Sequence, residues 1–327
     1  MITEQQVLNA LSHVMDPDLQ HDLVSLKMIE NIKIDGEKVS FSIILTTPSC
    51  PLKHQIEADA REAVLTMTTA SEVDIEMTSR INTPKGVDLG GNCFKHVIAV
   101  GSGKGGVGKS TVSLNIALAL AKDGAKVGLL DADIYGPNIP RMLGLDHLPD
   151  TPEGDKIKPS EIHGIKVVSI GFMVQPGQPL IWRGPMLHSA IQQFLTDFDW
   201  GDLDYLVVDL PPGTGDVQLS LTQSMPVSGA VIVTTPQQVA VDDAYRAVNM
   251  FAKLETPLFG IIENMAFLEM PDGSHQYLFG EKGGEHLAAQ VGVPFLGRIP
   301  IDPKIGIGGD IGSPEVLQES LSPAGEA

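Results

Sequence analysis

Four residue types in one short stretch are suited to phosphate chemistry. In Val100-Gly101-Ser102-Gly103-Lys104-Gly105-Gly106-Val107-Gly108-Lys109-Ser110-Thr111, the residues Gly103, Gly108, Lys109 and Ser110 fit G-x-x-x-x-G-K-[ST]. The glycines let backbone N–H groups converge on phosphate oxygens, and a helix starting there adds its positive dipole end. Lys109 is spaced to reach the β- and γ-phosphates, and the Ser110 hydroxyl to ligate Mg²⁺. A second set is Asp131-Ala132-Asp133-Ile134-Tyr135-Gly136-Pro137-Asn138, whose two carboxylates suit Mg²⁺ held through water or the positioning of an attacking water. A third is Tyr205-Leu206-Val207-Val208-Asp209, an apolar run ending in a Walker-B-type acid. The turn after it, Pro211-Pro212-Gly213, is placed to sense a γ-phosphate. Asn264 ends another apolar run, where its amide suits adenine or simply a turn, and Pro300-Ile301-Asp302 leaves a later one near base or ribose.

These groups need rigid elements beneath them. His96 to Val100 reads as a buried strand, Val112 to Lys122 as a helix, and Gly124 as its stop. Lys126 to Leu130, Tyr205 to Val208, Ala230 to Thr235, Leu258 to Met265 and Phe295 to Pro300 read as further buried strands, with a helix over Asp242 to Lys253. Apolar strands alternating with helices predict an α/β fold: a mostly parallel, doubly wound sheet with helices on both faces and its acids at the carboxyl ends of strands. The Pro- and Gly-rich stretch from Leu145 to Pro179 reads as a peripheral excursion containing a strand-like Ile165 to Ile170. Trp182-Arg183-Gly184-Pro185 introduces an amphipathic helix with Met186, Ile191, Phe194 and Leu195 inward. Arg183 suits a phosphate contact, a subunit contact or plain solvent exposure. The tail after Gly306 is glycine-rich and shows no amphipathic helix.

The chain before residue 81 has a different character. Thr3-Glu4-Gln5-Gln6 has capping-box form, and Val7, Leu8, Leu11 and Met15 follow at helical spacing until Asp16-Pro17-Asp18. Glu30 to Ile34 and Lys38 to Leu45 read as strands joined at Asp35-Gly36, with Val39, Phe41, Ile43 and Leu45 on one face. In Thr46-Thr47-Pro48-Ser49-Cys50-Pro51-Leu52, Pro51 suits the first position of a helix striped by Leu52, Ile56, Ala60 and Val64. Cys50 then stands at the N-cap, where it is either a reactive, iron-binding thiolate or a small residue filling a tight turn. Val73 to Met77 closes this unit as a strand. The resulting division is a small α/β domain over residues 1–80, a linker over 81–94 with Pro84 and three glycines, and the phosphate-loop domain over 95–327.

Composition narrows the function classes. Forty-three per cent of the 327 residues are hydrophobic and 19% charged, the balance of an ordinary globular chain. A net charge of −19 with no Lys/Arg cluster speaks against nucleic acid as a partner. Two cysteines, Cys50 and Cys93, form no disulfide framework, and the polar N-terminus and lack of long apolar runs predict a cytoplasmic protein without a membrane partner. The nine histidines show no metal-ligand spacing.

Taken together, the phosphate loop, Asp131 to Asn138, Trp182 to Pro185, Asp209-Leu210-Pro211-Pro212-Gly213-Thr214-Gly215-Asp216 and Glu263-Asn264-Met265 resemble the Mrp/ApbC family of P-loop ATPases. That family belongs to the deviant-Walker-A class with MinD, ParA and nitrogenase iron protein. Residues 1–80, with Thr-Thr-Pro-Ser-Cys-Pro at 46–51, resemble the small domain of iron–sulfur assembly factors. The resemblance implies a homodimer that binds and hydrolyses ATP with Mg²⁺ and delivers iron–sulfur clusters to apoprotein clients alongside iron–sulfur assembly proteins. It implies nucleotide binding by Gly103, Lys104, Gly105, Gly106, Val107, Gly108, Lys109, Ser110 and Thr111, with Asn264, Pro300 and Asp302 around the base. Lys104 is then the signature lysine that reaches the partner's ATP. Lys109 and Asp133 complete the catalytic set, and Ser110, Asp131 and Asp209 surround Mg²⁺.

One segment departs from that family. Many members carry Cys-x-x-Cys shortly after Glu-Asn-Met, where two subunits bind a [4Fe–4S] cluster. Here Met270 and Gly273 occupy those places, and neither supplies a thiolate. The departure gives weight to Cys50 as a cluster ligand, and to a second reading in which the protein is an ATP-switched adaptor that binds no cluster. A MinD/ParA-like positioning ATPase fits less well, since the chain offers no terminal amphipathic helix and no basic patch.

Overall fold

A computed structural model describes residues 2–16, 21–26, 28–45, 53–79, 87–150, 155–173, 184–318 and 320–327. The chain divides into two compact units, Met1–Pro84 and Lys85–Ala327.

In the first unit, Thr3 caps helix α1 (Glu4–Leu11) reciprocally with Gln6, at 3.3 Å from its hydroxyl to the Gln6 N–H and 3.0 Å in return. The helix stops at Leu11, and Met15, expected on its buried stripe, is exposed and pairs with Asp22 in a short ladder. Strands β1 (Ile29–Asp35) and β2 (Lys38–Leu45) form an antiparallel hairpin turning at Gly36, whose φ of 63° suits glycine. Helix α2 (Lys53–Met67) crosses to β3 (Glu72–Ser79), parallel to β2. Val7, Leu11, Val39, Phe41, Ile43, Ile56, Ala60 and Val64 form the core. Cys50 and its Thr-Thr-Pro-Ser neighbours lie outside the described residues.

In the second unit, β4 (Val87–Leu89) pairs antiparallel with β5 (Asn92–Gly101). The second half of the expected linker is therefore a hairpin turning at Gly90 and Gly91, both at positive φ, and Cys93 is a strand residue. The sheet continues with β6 (Val127–Asp131), edge strand β7 (Ser160–Ile162), β8 (Ile165–Ser169), β9 (Asp202–Asp209), β10 (Gly229–Thr234), β11 (Leu258–Glu269), β12 (His275–Gln276) and β13 (Phe295–Ile301). The parallel order is β13-β11-β10-β5-β9-β6-β8, with β7 and β12 antiparallel at the margins.

Side chains of each central strand alternate between two apolar layers. Val97, Ala99, Leu206 and Val208 join one layer with Phe194, Ala247 and Phe251, from α5 (Gly184–Thr196) and α7 (Gln238–Lys253). Val100, Tyr205 and Val207 join the other with Val112, Leu114 and Leu118 of α3 (Lys109–Lys122). Helices thus cover both faces, as a doubly wound sheet requires.

Two expectations change. Ile165 to Ser169 is an integral strand in register with Val127 to Asp131, so the supposed excursion contributes to the sheet. Met186 is exposed, while Ile191, Phe194 and Leu195 are buried as expected. The tail forms a helix over Pro303–Ile311 despite its glycines, started by the Asp302 carboxylate accepting from the Lys304 N–H at 2.8 Å. Among the described residues no helix is long and apolar enough to cross a membrane.

Candidate nucleotide site

The acids and the phosphate loop meet because parallel strands align their carboxyl ends. Strand β5 runs into the loop, and its neighbour β9 ends at Asp209 opposite Val100. Strand β6 ends at Asp131 opposite Asp209. A cleft of about 750 Å³ opens there, lined by Ser102, residues 104–106 and 108–111 of the loop, and Asp133, Asn264, Pro300 and Asp302.

The loop is shaped by positions where a side chain does not fit. A Cβ on Gly103 would lie 2.1 Å from the Asp243 backbone carbon, so the loop is pressed against α7. Gly108 has a φ of 84°, and a Cβ there would meet the Asn264 amide nitrogen at 2.1 Å. Asn264 donates that same amide to the Val107 carbonyl at 2.8 Å, tying β11 to the loop. Gly108 is also the N-cap of α3 and supplies no side-chain acceptor, and the first turn carries no acid. The N–H groups of the first turn are thereby left for an anion.

Beneath the loop the Lys109 ammonium sits 2.8 Å from Asp209 Oδ1, 3.3 Å from Asp133 Oδ2 and 3.3 Å from Ser110 Oγ. All but Ser110 are buried. Asp209 Oδ1 also accepts from the Ser113 hydroxyl at 2.7 Å, whereas Asp209 Oδ2 is buried with no partner among the described residues. Asp133 Oδ1 takes the N–H groups of Tyr135 (3.1 Å) and Gly136 (3.3 Å), which fixes the loop it heads.

Asp131 is placed differently from a direct magnesium ligand. Its Oδ2 accepts from Ser169 Oγ at 2.8 Å and the Ile139 N–H at 3.3 Å, and its Oδ1 from the Asp133 N–H at 3.2 Å. It does not line the cleft. Burial, then the charge of Asp209, push its carboxyl up to about 8, against the opposing pull of Ser169, the Asp133 N–H and Lys109. Through its accepted hydrogen bonds Asp131 holds Asp133 and the start of the following helix.

The fit to a magnesium nucleotide can be judged from these atoms. An uncapped helix N-terminus, a glycine loop closed to any Cβ at Gly108, and an orphaned carboxylate oxygen on Asp209 together suit phosphate and a hydrated cation. Lys104 is half-buried at the cleft and has no ion-pair partner among the described residues, while its carbonyl accepts from Ser102 Oγ at 3.0 Å. Arg183 lies outside the described residues.

Sequence reasoning missed Ser113, Ser169 and the Arg141–Asp310 pair at the mouth of the cleft, whose charged atoms are 4.0 Å apart. Ser113 had a visible signal, one helical turn beyond Lys109. Ser169 had none, because its approach to Asp131 depends on the β8–β6 register.

The remaining expected positions lie elsewhere. Met270 and Gly273 form an exposed turn closed by the Gly273 N–H on the Met270 carbonyl at 2.8 Å, beside stacked Phe267 and His275 rings 3.9 Å apart. Cys93 is half-buried at the amino end of β5, opposite Asp202.

Comparison with known proteins agrees with this geometry. A family model described as NUBPL iron-transfer P-loop NTPase matches residues 93–327, and one described as iron–sulfur cluster assembly protein matches residues 4–77. The chain is 51% identical over 323 residues to the iron–sulfur cluster carrier protein of Deinococcus radiodurans, covering 98% of this chain and 91% of the relative. It is 48% identical over 335 residues to the iron–sulfur cluster carrier protein of Synechocystis, covering 100% and 95%. A solved nucleotide-binding protein from Archaeoglobus fulgidus in complex with ADP superposes with a TM-score of 0.59 at 42% identity, covering 67% of this chain and 87% of that one.

Proposed function

The chain belongs to the family of NUBPL iron-transfer P-loop NTPases, and from that premise we propose that it is an ATP-hydrolysing carrier that delivers iron–sulfur clusters to apoprotein clients. The observation that supports this best is the Lys109 ammonium held between Asp133 and Asp209 under a glycine loop that leaves its N–H groups to an anion. In this reading the N–H groups from Gly103 to Thr111 cradle the phosphates, and Lys109 offsets the charge on the β- and γ-phosphates. Asn264, Pro300 and Asp302 border the base and ribose. Asp133 orients the water whose oxygen attacks the γ-phosphorus while the β–γ bridging oxygen leaves with ADP. Ser110 and Asp209 would hold Mg²⁺, which would supply charge neutralisation to the phosphoryl group. Asp131 keeps Asp133 in place.

Lys104 completes the site in a homodimer. It reaches a second copy's phosphates, as an arginine finger does, which makes hydrolysis slow in the monomer and dependent on pairing. The cluster is cargo, and with neither Met270 nor Gly273 supplying a thiolate, its thiolate comes from Cys50 in the small domain. The same substitution favours a second reading, an ATP-switched adaptor that carries no cluster.

Anaerobic reconstitution with iron and sulfide decides between them. Retained iron that is lost in Cys50→Ser, together with transfer to an apo-ferredoxin, supports the carrier. ATP turnover without iron in either protein favours the adaptor, and no ATP turnover sinks both.

A further inference from the structure

We infer that Ser113 is a positioning residue for magnesium: its hydroxyl decides which oxygen of Asp209 faces the ion. Ser113 is fully buried on α3, one turn after Lys109. Its Oγ lies 2.7 Å from Asp209 Oδ1 and 3.0 Å from the Lys109 carbonyl. A hydroxyl has one proton, so it donates to one of these at a time. The shorter contact is to the carboxylate, where the bond is charge-assisted and stronger.

Two donors therefore meet on Oδ1, Ser113 Oγ and Lys109 Nζ at 2.8 Å. They pin the carboxylate by one oxygen and leave Oδ2 buried and unpartnered among the described residues. A buried carboxylate oxygen without a donor is costly, and that cost falls when a hydrated cation supplies one. The second acceptor matters too. When Asp209 shifts towards an ion, the Ser113 proton turns to the Lys109 carbonyl already 3.0 Å away, so neither group is left unsatisfied. Ser113 thus both orients Asp209 and lets it move.

The inference rests on the nucleotide site proposed above, and its test separates the two. ADP binding to the full chain is measured by calorimetry with and without Mg²⁺, for wild type, Ser113→Ala and Ser113→Cys. Cysteine restores the lost volume and is a weak donor. We expect both variants to bind ADP without Mg²⁺ within about twofold of wild type. Magnesium-dependent tightening should fall by about tenfold in both, equivalent to about 1.4 kcal/mol. Thermal melting confirms folding. Full recovery in Ser113→Cys would reduce the role to packing and overturn the inference, as would equal losses with and without Mg²⁺. Failure of wild type to bind ADP at all would instead overturn the proposed function.

Discussion

Replacing Lys109 should destabilise the fold as well as abolish nucleotide binding. In Lys109→Met the side-chain volume is kept, but Asp209, with no exposed surface, loses the cation at 2.8 Å and Asp133 loses one at 3.3 Å. Breaking a buried ion pair by removing one partner costs about 3–5 kcal/mol. Proton uptake sets a ceiling, since neutralising an ordinary carboxylate at pH 7 costs about 4 kcal/mol. The expected loss is then about 3–4 kcal/mol. For a unit of this size each kcal/mol moves Tm by about 2–4 °C, so the melting point should fall by about 6–16 °C. Differential scanning calorimetry without nucleotide reads this directly. The double variant Lys109→Met/Asp209→Asn removes both charges and keeps the Ser113 donor, and should regain at least half of the loss. A single variant that melts with wild type, or a double variant no more stable than the single, would refute the claim that a buried charge pair holds the loop to β9.

Gly108→Ala combines a positive φ with a Cβ 2.1 Å from the Asn264 amide, and should weaken ADP at least about tenfold by calorimetry, with no rescue from Asn264→Ala because the backbone strain remains. Gln218, fully buried on α6 (Asp216–Gln223), has both amide atoms without a partner among the described residues, so Gln218→Met should raise Tm by at least about 2 °C. Burial raises the Asp204 carboxyl, but the Lys95 ammonium at 2.6 Å, the Lys126 N–H and both lysine charges outweigh it and hold the group below its ordinary range. A depressed carboxyl stabilises the fold above its unfolded pKa and loses that contribution as pH falls through the folded value. Lys95→Met should therefore lower stability by about 0.2–1 kcal/mol at pH 7, a gap that closes on titration to pH 3 in denaturant melts.

The phosphate loop, the buried strands and Asp209 were legible because each is encoded locally, in a run of apolar residues or a glycine spacing. The hairpin over 87–94 was legible in principle. Gly90-Gly91 between Leu89 and Asn92 is a two-residue turn signal, but beside Pro84 it reads as flexible linker. The strand character of Ile165 to Ile170 is legible, but among Pro- and Gly-rich flanks nothing local shows that it pairs in register with β6 inside the main sheet. Helix α9 (Pro303–Ile311) carries Asp302-Pro303, a good start signal, against glycines that lower its propensity. The real limit lies in long-range pairing. Ser113 meets Asp209 across 96 residues and Ser169 meets Asp131 across 38, and only the strand order brings them together. The upward shift of the Asp131 carboxyl is of the same kind, since it comes first from burial and then from the charge of Asp209, which the strand order sets alongside it.

The position of sulfur constrains where a cluster can travel. Cys93 begins β5 eight residues before Gly101, about 26 Å along the strand from the phosphate loop. It is half-buried, its N–H is taken by the Gly201 carbonyl at 3.0 Å, and it faces no second thiol within its unit. The turn at Met270 and Gly273 follows the end of β11, beyond Asn264 and Met265 and outside the residues that line the cleft, and it is closed by backbone hydrogen bonds beside stacked rings. Neither position therefore sets a thiolate beside the nucleotide cleft, and under the proposed function a cluster held by this chain depends on Cys50 in the small domain. Cys93→Ser should leave iron loading unchanged, whereas Cys50→Ser should abolish it, with ATP turnover intact in both. Met270→Cys/Gly273→Cys supplies the converse: it should create iron binding in a Cys50→Ser chain. Iron that survives Cys50→Ser but disappears in Cys93→Ser would place the cargo at the far edge of the sheet and refute this reasoning.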